Sequence, residues 1–377
     1  MLLQPDNFDA AAFLSGYWQK RPLLIRNPWT CWANPLDPDE LAGLACEEEV
    51  ESRLVTGVHP SLAVEHGPFA EARFERLGSE PWTLLVQAVD HQAPSVAALL
   101  GAFRFIPNWR IDDVMVSYAT DGGGVGPHFD RYDVFLIQGL GRRRWRLGGT
   151  CDASTALLPN EDLRLLERFE AADEYVLEPG DILYVPPGIA HEGIALGHDC
   201  MTYSVGFRAP SRSELIEQWS LHLLGGMPDD ERYADPDLKP QANPGEIAAP
   251  ALDRLHAMVT EKMLDREAFA RWFGRHSTAP KYPDLDWRPD EPVRVEDVRA
   301  RFAAGARLLR NPASRFSFID AGEGAVSLFV DGECFDCARD EAVFAQRLCG
   351  QDPVEPDEAA AALVAILIDR GSLALED

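Results

Sequence analysis

Gly126-Pro127-His128-Phe129-Asp130 and Gly180-Asp181-Ile182-Leu183-Tyr184-Val185-Pro186-Pro187-Gly188-Ile189-Ala190-His191 decide how this chain is read. In a strand, residues two apart face the same side, so His128 and Asp130 can aim at one metal from one strand. His191 must then arrive from a distant strand that folds back beside the first. The second segment supplies the means: Ile182-Leu183-Tyr184-Val185 is an apolar strand, and Pro186-Pro187-Gly188 makes a tight turn before His191. Two imidazoles and one carboxylate on one face of a metal leave half an octahedron open. That is the ligand set of non-haem Fe(II) oxygenases. A redox metal with free positions binds an oxidant and a cosubstrate together, so the pattern predicts oxidation chemistry, not a closed structural site. H-x-D alone recurs by chance, and His128 alone would read as a structural or surface histidine. The Gly-Asp and Pro-Pro-Gly spacing ahead of His191 is what makes the pattern specific.

Outward from this centre the chain reads as many short strands divided by Gly and Pro, which predicts a barrel or sandwich. Strands are expected over 114–118, 133–138, 142–147, 174–177, 182–185 and 201–207, with Gly139-Leu140-Gly141 separating the second from the third. Gly122-Gly123-Gly124-Val125-Gly126 lacks the Lys and Ser/Thr of a phosphate loop. It reads as a flexible turn feeding the metal strand, where substrate backbone would pass close. Upstream, a helix over 9–20 and an entry strand over 22–26 precede alternating short helical and extended pieces over 31–100. After Ala209-Pro210, Ser211-Arg212-Ser213-Glu214 is a capping box ahead of a helix reaching about 224. A Pro- and Asp-rich loop covers 226–246. Helical pattern resumes over 248–276, with Leu252, Leu255, Met258, Val259 and Met263 on one face. That stripe packs on the barrel or forms a dimer contact. From about 280, a helix (295–304), two strands (316–319, 326–330) and two helices (341–348, 357–369) resemble a small winged-helix module.

Net charge is −27, with 62 acidic against 35 basic side chains. Such a surface repels phosphate backbones and attracts a basic partner, although solubility alone also accounts for it. Residues 279–377 hold 11 Lys+Arg and 20 Asp+Glu, a net of −9, so DNA binding by the winged-helix piece is not expected. Seven cysteines with no framework spacing fit a reducing, cytoplasmic setting. Cys334-Phe335-Asp336-Cys337 lacks a second ligand pair and reads as two thiols on a strand. No stretch is long and apolar enough for a membrane span, and Met1 to Asp6 carries no secretory pattern.

An iron oxygenase needs two electrons beyond those its substrate gives, and a 2-oxo acid supplies them in this class. Its far carboxylate needs a cation. Gly141-Arg142-Arg143-Arg144-Trp145-Arg146 is a basic island on the strand after the metal ligands. Alternation sends Arg143 and Trp145 to one face and Arg142, Arg144 and Arg146 to the other, and one face can be the barrel interior. On Val125 to Gly139 with Arg142-Arg143-Arg144-Trp145, the chain resembles the bacterial JmjC-type ribosomal oxygenases of the YcfD/RoxA group, over its whole length. The resemblance implies an α+β fold: a JmjC/cupin double-stranded β-helix (1–209), a helical dimerisation region (210–278) and a C-terminal winged-helix-like domain (279–377). It implies Fe(II) held by His128, Asp130 and His191, and 2-oxoglutarate held by Arg143 with help from Ser117. It implies that O2 is consumed and that an arginine β-carbon is hydroxylated in a basic large-subunit ribosomal protein, number sixteen. It also implies a homodimer.

Three rival readings compete. One keeps the chemistry and changes the target, to a histidine, asparagine or lysine hydroxylase or a demethylase, a choice the triad cannot make. Another is a non-enzymatic cupin-like binding protein, against which the intact H-x-D…H and Arg143 argue. A cupin dioxygenase or isomerase without 2-oxoglutarate would leave Arg143 without a role.

Overall fold

Asp9 caps the first helix: its carboxylate accepts from the Ala11 and Ala12 amides at 2.9 and 3.0 Å and starts α1 (Ala10–Gly16). The computed structural model describes residues 8–78, 80–159, 162–228, 232–350 and 353–376. After α1 come β1 (Leu23–Ile25), α2 (Pro38–Leu44), β2 (Ser52–Val58), β3 (Ser61–His66), α3 (Glu71–Glu75) and β4 (Trp82–Val86). Two short helices, α4 (Val89–Gln92) and α5 (Pro94–Ala97), lead to β5 (Ile111–Ala119), β6 (Asp133–Thr150), β7 (Asp173–Leu177), β8 (Ile182–Val185) and β9 (Ile189–Phe207). Helices α6 (Arg212–Gly225), α7 (Ala249–Met263), α8 (Arg266–Thr278) and α9 (Val295–Ala303) follow. The chain then runs through β10 (Arg307–Arg310), β11 (Phe316–Gly322), β12 (Ala325–Val330), β13 (Glu333–Ala338), α10 (Asp340–Cys349), α11 (Ala361–Asp369) and β14 (Leu373–Glu376). Two compact units result: Met1–Ala209 with Lys281–Arg315 and Gly350–Asp377, and Pro210–Pro280 with Phe316–Cys349. The second unit therefore draws on both sides of the boundary that the sequence suggests at 279.

In the first unit, β1 to β9 form one antiparallel sheet in the order β1-β8-β6-β9-β5-β4-β2-β3, with β7 on β6. Strands β6 and β9 pair along their whole length, from Asp133 opposite Phe207 to Thr150 opposite Ile189. The two strands expected over 133–138 and 142–147 are thus one. Gly139-Leu140-Gly141 is not a turn but a pair of register shifts within β6. These shifts invert the alternation. Val134 and Leu136 before them share a buried cluster with Trp145 and Leu147 after them. Phe135 and Ile137 face the opposite core, with Phe13, Phe103, Tyr184 and Phe207. A side chain at Gly139 would meet the Tyr203 ring at 2.5 Å and Asn34 Oδ1 at 2.6 Å, so glycine is required there. Rings of Phe103 and Phe135 (4.7 Å), and of Phe13 and Tyr184 (4.9 Å), fasten α1 and the segment after α5 to the sheet. Buried Asp133 completes this junction by accepting from Tyr184 Oη (2.6 Å), Gln19 Nε2 (2.9 Å) and Arg110 Nη2 (3.1 Å).

In the second unit the capping box forms as read: Glu214 N donates to Ser211 Oγ (3.1 Å) and Ser211 N to Glu214 Oε2 (3.3 Å). The helix expected over 248–276 is broken in two. Asp265 caps a fresh helix by accepting from the Glu267 and Ala268 amides at 3.1 and 3.0 Å. Strands β11, β12 and β13 form a meander, whose third strand holds the two cysteines that the sequence places on a strand. Gly274 lets α8 lie close on it, since a Cβ there would come within 2.4 Å of the Phe329 ring. Arg271 and Asp336 add a bidentate pair at 2.8 and 3.0 Å. Cys334 and Cys337 are free thiols on β13, and burial pushes Cys337 up to about 12. None of the described residues of α7 is buried: Leu252, Leu255 and Val259 are 52%, 42% and 64% exposed. No helix among the described residues is long and apolar enough to cross a membrane.

Where the chain leaves and re-enters the first unit, its basic residues gather on β5. Asp112 receives Lys281 Nζ (3.1 Å), Arg315 Nη2 (3.1 Å) and Arg208 Nε (3.7 Å). Asp113, almost fully buried, takes Lys281 Nζ at 2.7 Å and Gln87 Nε2 at 2.7 Å. Asp90 lies in the same cluster and accepts the Val114 amide at 2.8 Å. Burial pushes its carboxyl up to about 7, against the pull of that amide and with a further push from Asp113. A carboxyl raised in the folded state stabilises the fold at low pH, and that contribution is lost as pH rises through about 7. Asp90→Asn keeps an acceptor for Val114 and removes the titration. The variant should melt at the parent temperature near pH 4 and above it at pH 8, as followed by circular dichroism. A parallel pH profile for the two proteins would contradict the assignment.

Candidate metal centre

His128 and His191 meet across one antiparallel bridge. The His128 amide donates to His191 O at 3.0 Å, and the His191 amide donates to His128 O at 2.8 Å. His191 belongs to β9, but His128 and Asp130 lie outside any named strand, contrary to the single strand expected for them. Pro127 lacks an amide and Gly126 has a φ of +79°, so regular pairing stops before it reaches them. The bridge replaces a ladder. Asp130 is fixed from the other side, where the Gly188 amide of the Pro-Pro-Gly turn donates to Asp130 O at 2.7 Å. One turn thereby positions both the carboxylate and the strand that brings His191.

The ligand-type atoms of His128, Asp130 and His191 all lie within 4.8 Å of one another. His191 Nε2 is 3.6 Å from Asp130 Oδ2, and the imidazole centroids are 4.3 Å apart. Both rings are oriented by backbone: His128 Nδ1 is 3.0 Å from Gly126 O and His191 Nδ1 is 2.9 Å from Ile189 O. A proton on each Nδ1 satisfies those carbonyls and leaves each Nε2 lone pair for a metal. Burial and the neighbouring His128 push the His191 imidazole well down, against the pull of Asp130, so it is neutral at ordinary pH. Two imidazole nitrogens and one carboxylate oxygen with an open side suit a divalent first-row metal such as iron.

Arg143 and Trp145 point inward from β6, at 4% and 6% exposure. Arg142 is exposed, while Arg144 and Arg146 are half-buried and lie near Glu174 and Glu192. Arg143 Nε and Nη2 are buried without a partner, and so is Trp145 Nε1. The guanidinium sits 5.8 Å from the Trp145 ring centre, and that ring sits 5.9 Å from the His191 ring. A buried, unpaired cation beside the triad fits an anionic ligand. Ser117 is buried on β5, opposite Thr202 of β9, which in turn faces Gln138 of β6. Its place is therefore in a buried polar row across the sheet.

The glycine run is explained by the protein's own backbone. A Cβ on Gly124 would lie 2.5 Å from Gly193 O, and one on Gly123 would lie 2.4 Å from Trp82 O. The close approach expected of a substrate is made there by β4 and β9. Asp181, part of the sequence pattern but given no role there, closes the β7–β8 turn by accepting from the Asn27 (3.0 Å) and Glu178 (2.9 Å) amides. Its signal was the Gly180-Asp181 pair at the head of the strand.

A JmjC-domain family model matches residues 98–215, and a ROXA-like winged-helix model matches residues 261–373. Ribosomal protein uL16 3-hydroxylase of Escherichia coli K12 is 46% identical over 307 residues, spanning 79% of this chain and 81% of that protein. A probable ribosomal oxygenase of Haemophilus influenzae is 38% identical over 283 residues, spanning 71% of this chain and 68% of that protein. Among solved structures, E. coli YcfD in complex with cobalt and 2-oxoglutarate superposes with a TM-score of 0.85 at 36% identity, covering 100% of this chain and 99% of that one.

Proposed function

Because the chain belongs to the JmjC-type ribosomal oxygenases, we propose that it is an Fe(II)- and 2-oxoglutarate-dependent hydroxylase acting on an arginine β-carbon of the ribosomal protein uL16. The observation that supports this best is the pairing of an open His128/Asp130/His191 ligand set with an unpartnered, buried Arg143 beside it. The uL16 3-hydroxylase relative, matched over most of both chains, supplies the substrate.

In this reading His128, Asp130 and His191 hold the iron, and Arg143 holds the far carboxylate of 2-oxoglutarate. When bound, iron and cosubstrate supply the oxidation, in which O2 gives one oxygen to the substrate C–H and one to the succinate formed with loss of CO2. The protein's residues do the rest. Gly126 O and Ile189 O keep both imidazoles in the ligating tautomer. Trp145 and the aliphatic wall of Val134, Leu136 and Leu183 keep water from the inner face. Ser117 lends its hydroxyl to the cosubstrate end. The net charge of −27 draws a strongly basic target, so encounter should weaken as salt rises. The same charge disfavours direct nucleic-acid binding, and the cytoplasm is where chain and substrate meet.

The test is incubation with Fe(II), 2-oxoglutarate and a uL16 peptide spanning the target arginine. Gain of one oxygen atom on arginine, matched by succinate, is expected. Gain only on a histidine or asparagine peptide would keep the oxygenase and overturn the target. Arg143→Ala should raise the KM for 2-oxoglutarate roughly a hundredfold, as loss of a desolvated charge-assisted pair does. Arg144→Ala should change it by less than about threefold, since it stands on the solvent side with Glu174. Equal effects would place the cosubstrate elsewhere.

We further propose a two-fold dimer through the unburied apolar stripe of α7, with exposed Ile216, Leu221 and Leu224 on α6 beside it in the sequence order of the same unit. Leu255→Glu with Val259→Glu should shift the mass seen by light scattering from dimer to monomer. A parent protein that is monomeric at micromolar concentration would overturn the proposal.

A further inference from the structure

Arg143, Trp145 and Leu147 follow one another on the inward face of β6, and all three are buried. Leu147 stands opposite His191, so Trp145 takes the step between the guanidinium and the metal ligands. Its ring centre is 5.8 Å from Arg143 Cζ and 5.9 Å from the centre of the His191 ring. The indole thus borders both ends of the site at once.

The ring has no room to give way. On the β9 side it lies over Gly193, where a Cβ would come within 2.7 Å of Cη2, 2.8 Å of Cζ3 and 3.0 Å of Cε3. Gly193 is the residue that Trp145 faces in the β6–β9 register, so the absent side chain is what lets the indole rest on the neighbouring strand. Val134, Leu136, Leu177, Leu183 and Val185 pack with Trp145 and Leu147 in one buried cluster. A side chain enclosed in this way keeps one position. The ladder sets the distance from cation to triad, and the indole sets the surface along that distance.

We propose that Trp145 is a specificity-determining residue, the wall that matches the site to the length of 2-oxoglutarate. The proposal rests on the reading that Arg143 takes the far carboxylate. A 2-oxo diacid is then pinned at both ends, with its keto-acid end at the triad and its far carboxylate at Arg143. Its methylenes have to run past the indole. The two methylenes of 2-oxoglutarate lie along the ring. A third has to bow sideways, and the indole fills the space into which it would bow. Neither the triad nor Arg143 can make this distinction, because a longer diacid carries the same two ends.

The experiment measures Kd by titration calorimetry on the full-length protein loaded with Mn(II), which takes the place of iron so that no acid is consumed. The ligands are 2-oxoglutarate, the longer 2-oxoadipate, and 2-oxobutyrate, which lacks the far carboxylate. The parent is compared with Trp145→Leu and Trp145→Phe. The parent should prefer 2-oxoglutarate to 2-oxoadipate on the order of a hundredfold, as one methylene in a closed apolar site can decide. Leucine should weaken 2-oxoglutarate about tenfold and tighten 2-oxoadipate about tenfold, and phenylalanine should fall between. 2-Oxobutyrate, pinned at one end only, should change by less than about threefold. Tighter binding of the longer acid is a result that collapse of the site does not produce. Loss of both diacids in proportion makes Trp145 structural and overturns the proposal. So do unchanged affinities in the variants, or a parent with no preference between the diacids. If the leucine variant does not fold, the phenylalanine variant decides by the same comparison. An Arg143→Ala variant that binds 2-oxoglutarate as the parent does removes the cosubstrate reading and this proposal together. A large loss in that variant, with the diacid preference unmoved in the Trp145 variants, removes this proposal alone.

Discussion

Strands β6 and β9 run antiparallel from Asp133 opposite Phe207 to Thr150 opposite Ile189, and the register of that pairing sets where Arg143 and His191 stand. At one end it places Leu147 opposite His191, and so brings β9 to the segment that carries His128 and Asp130. Four residues earlier it places Arg143 opposite Ala195. His191 and Arg143 are thus spaced by a rigid ladder, while His128 and Asp130, outside any strand, join them through one bridge and the Gly188 turn. The two shifts at Gly139-Leu140-Gly141 matter as much as the ladder. Without them Arg143 would share a face with Phe135 and Ile137, in the aromatic core. With them it shares a face with Val134, Leu136 and Trp145. A one-residue change of phase moves a guanidinium between the two faces of a sheet.

Burial then does chemical work on the groups so placed. It holds His191 neutral, which a metal ligand must be, and the carbonyls of Gly126 and Ile189 select which nitrogen is free. The same burial leaves Arg143 with two unpartnered nitrogens. A guanidinium cannot escape by losing its proton, so the cost persists until an anion arrives. In the reading proposed above, part of the free energy of cosubstrate binding is in this sense stored in the fold.

Much of this was legible in the sequence because its signals are local. Period-two spacing marked His128 with Asp130 and Arg143 with Trp145, and turn residues marked the approach of His191. The capping box at Ser211 and the helix of 295–303 follow from short-range rules as well. The failures share a cause. Gly139-Leu140-Gly141 reads equally as a turn or as a bulge, and Tyr203 and Asn34, far along the chain, decide between them. The glycines before His128 suggested room for a ligand, yet Gly193 and Trp82 occupy it. Asp265 carried a cap signal inside a helical pattern, and the periodicity on both sides masked it. The grouping of α6 to α8 with the β11–β13 meander rests on contacts that no local pattern announces.

Charge is used in two opposite ways in this molecule, and the difference follows from the solvent around it. On the surface, an excess of 62 acids over 35 bases acts through water, where each pair is weak and screened beyond about 10 Å. Such a field gathers a polycation without choosing an atom in it. Inside, Arg143 is one cation in a poorly solvated wall, where a single well-placed carboxylate interacts strongly and with fixed direction. The first arrangement tolerates substitution of any one residue, because the field is a sum. The second tolerates none, because its partner is singular. The acidic exterior therefore governs how often a basic chain is met. Which small anion and which C–H are presented to each other is left to a few buried groups that the β6–β9 ladder holds in phase.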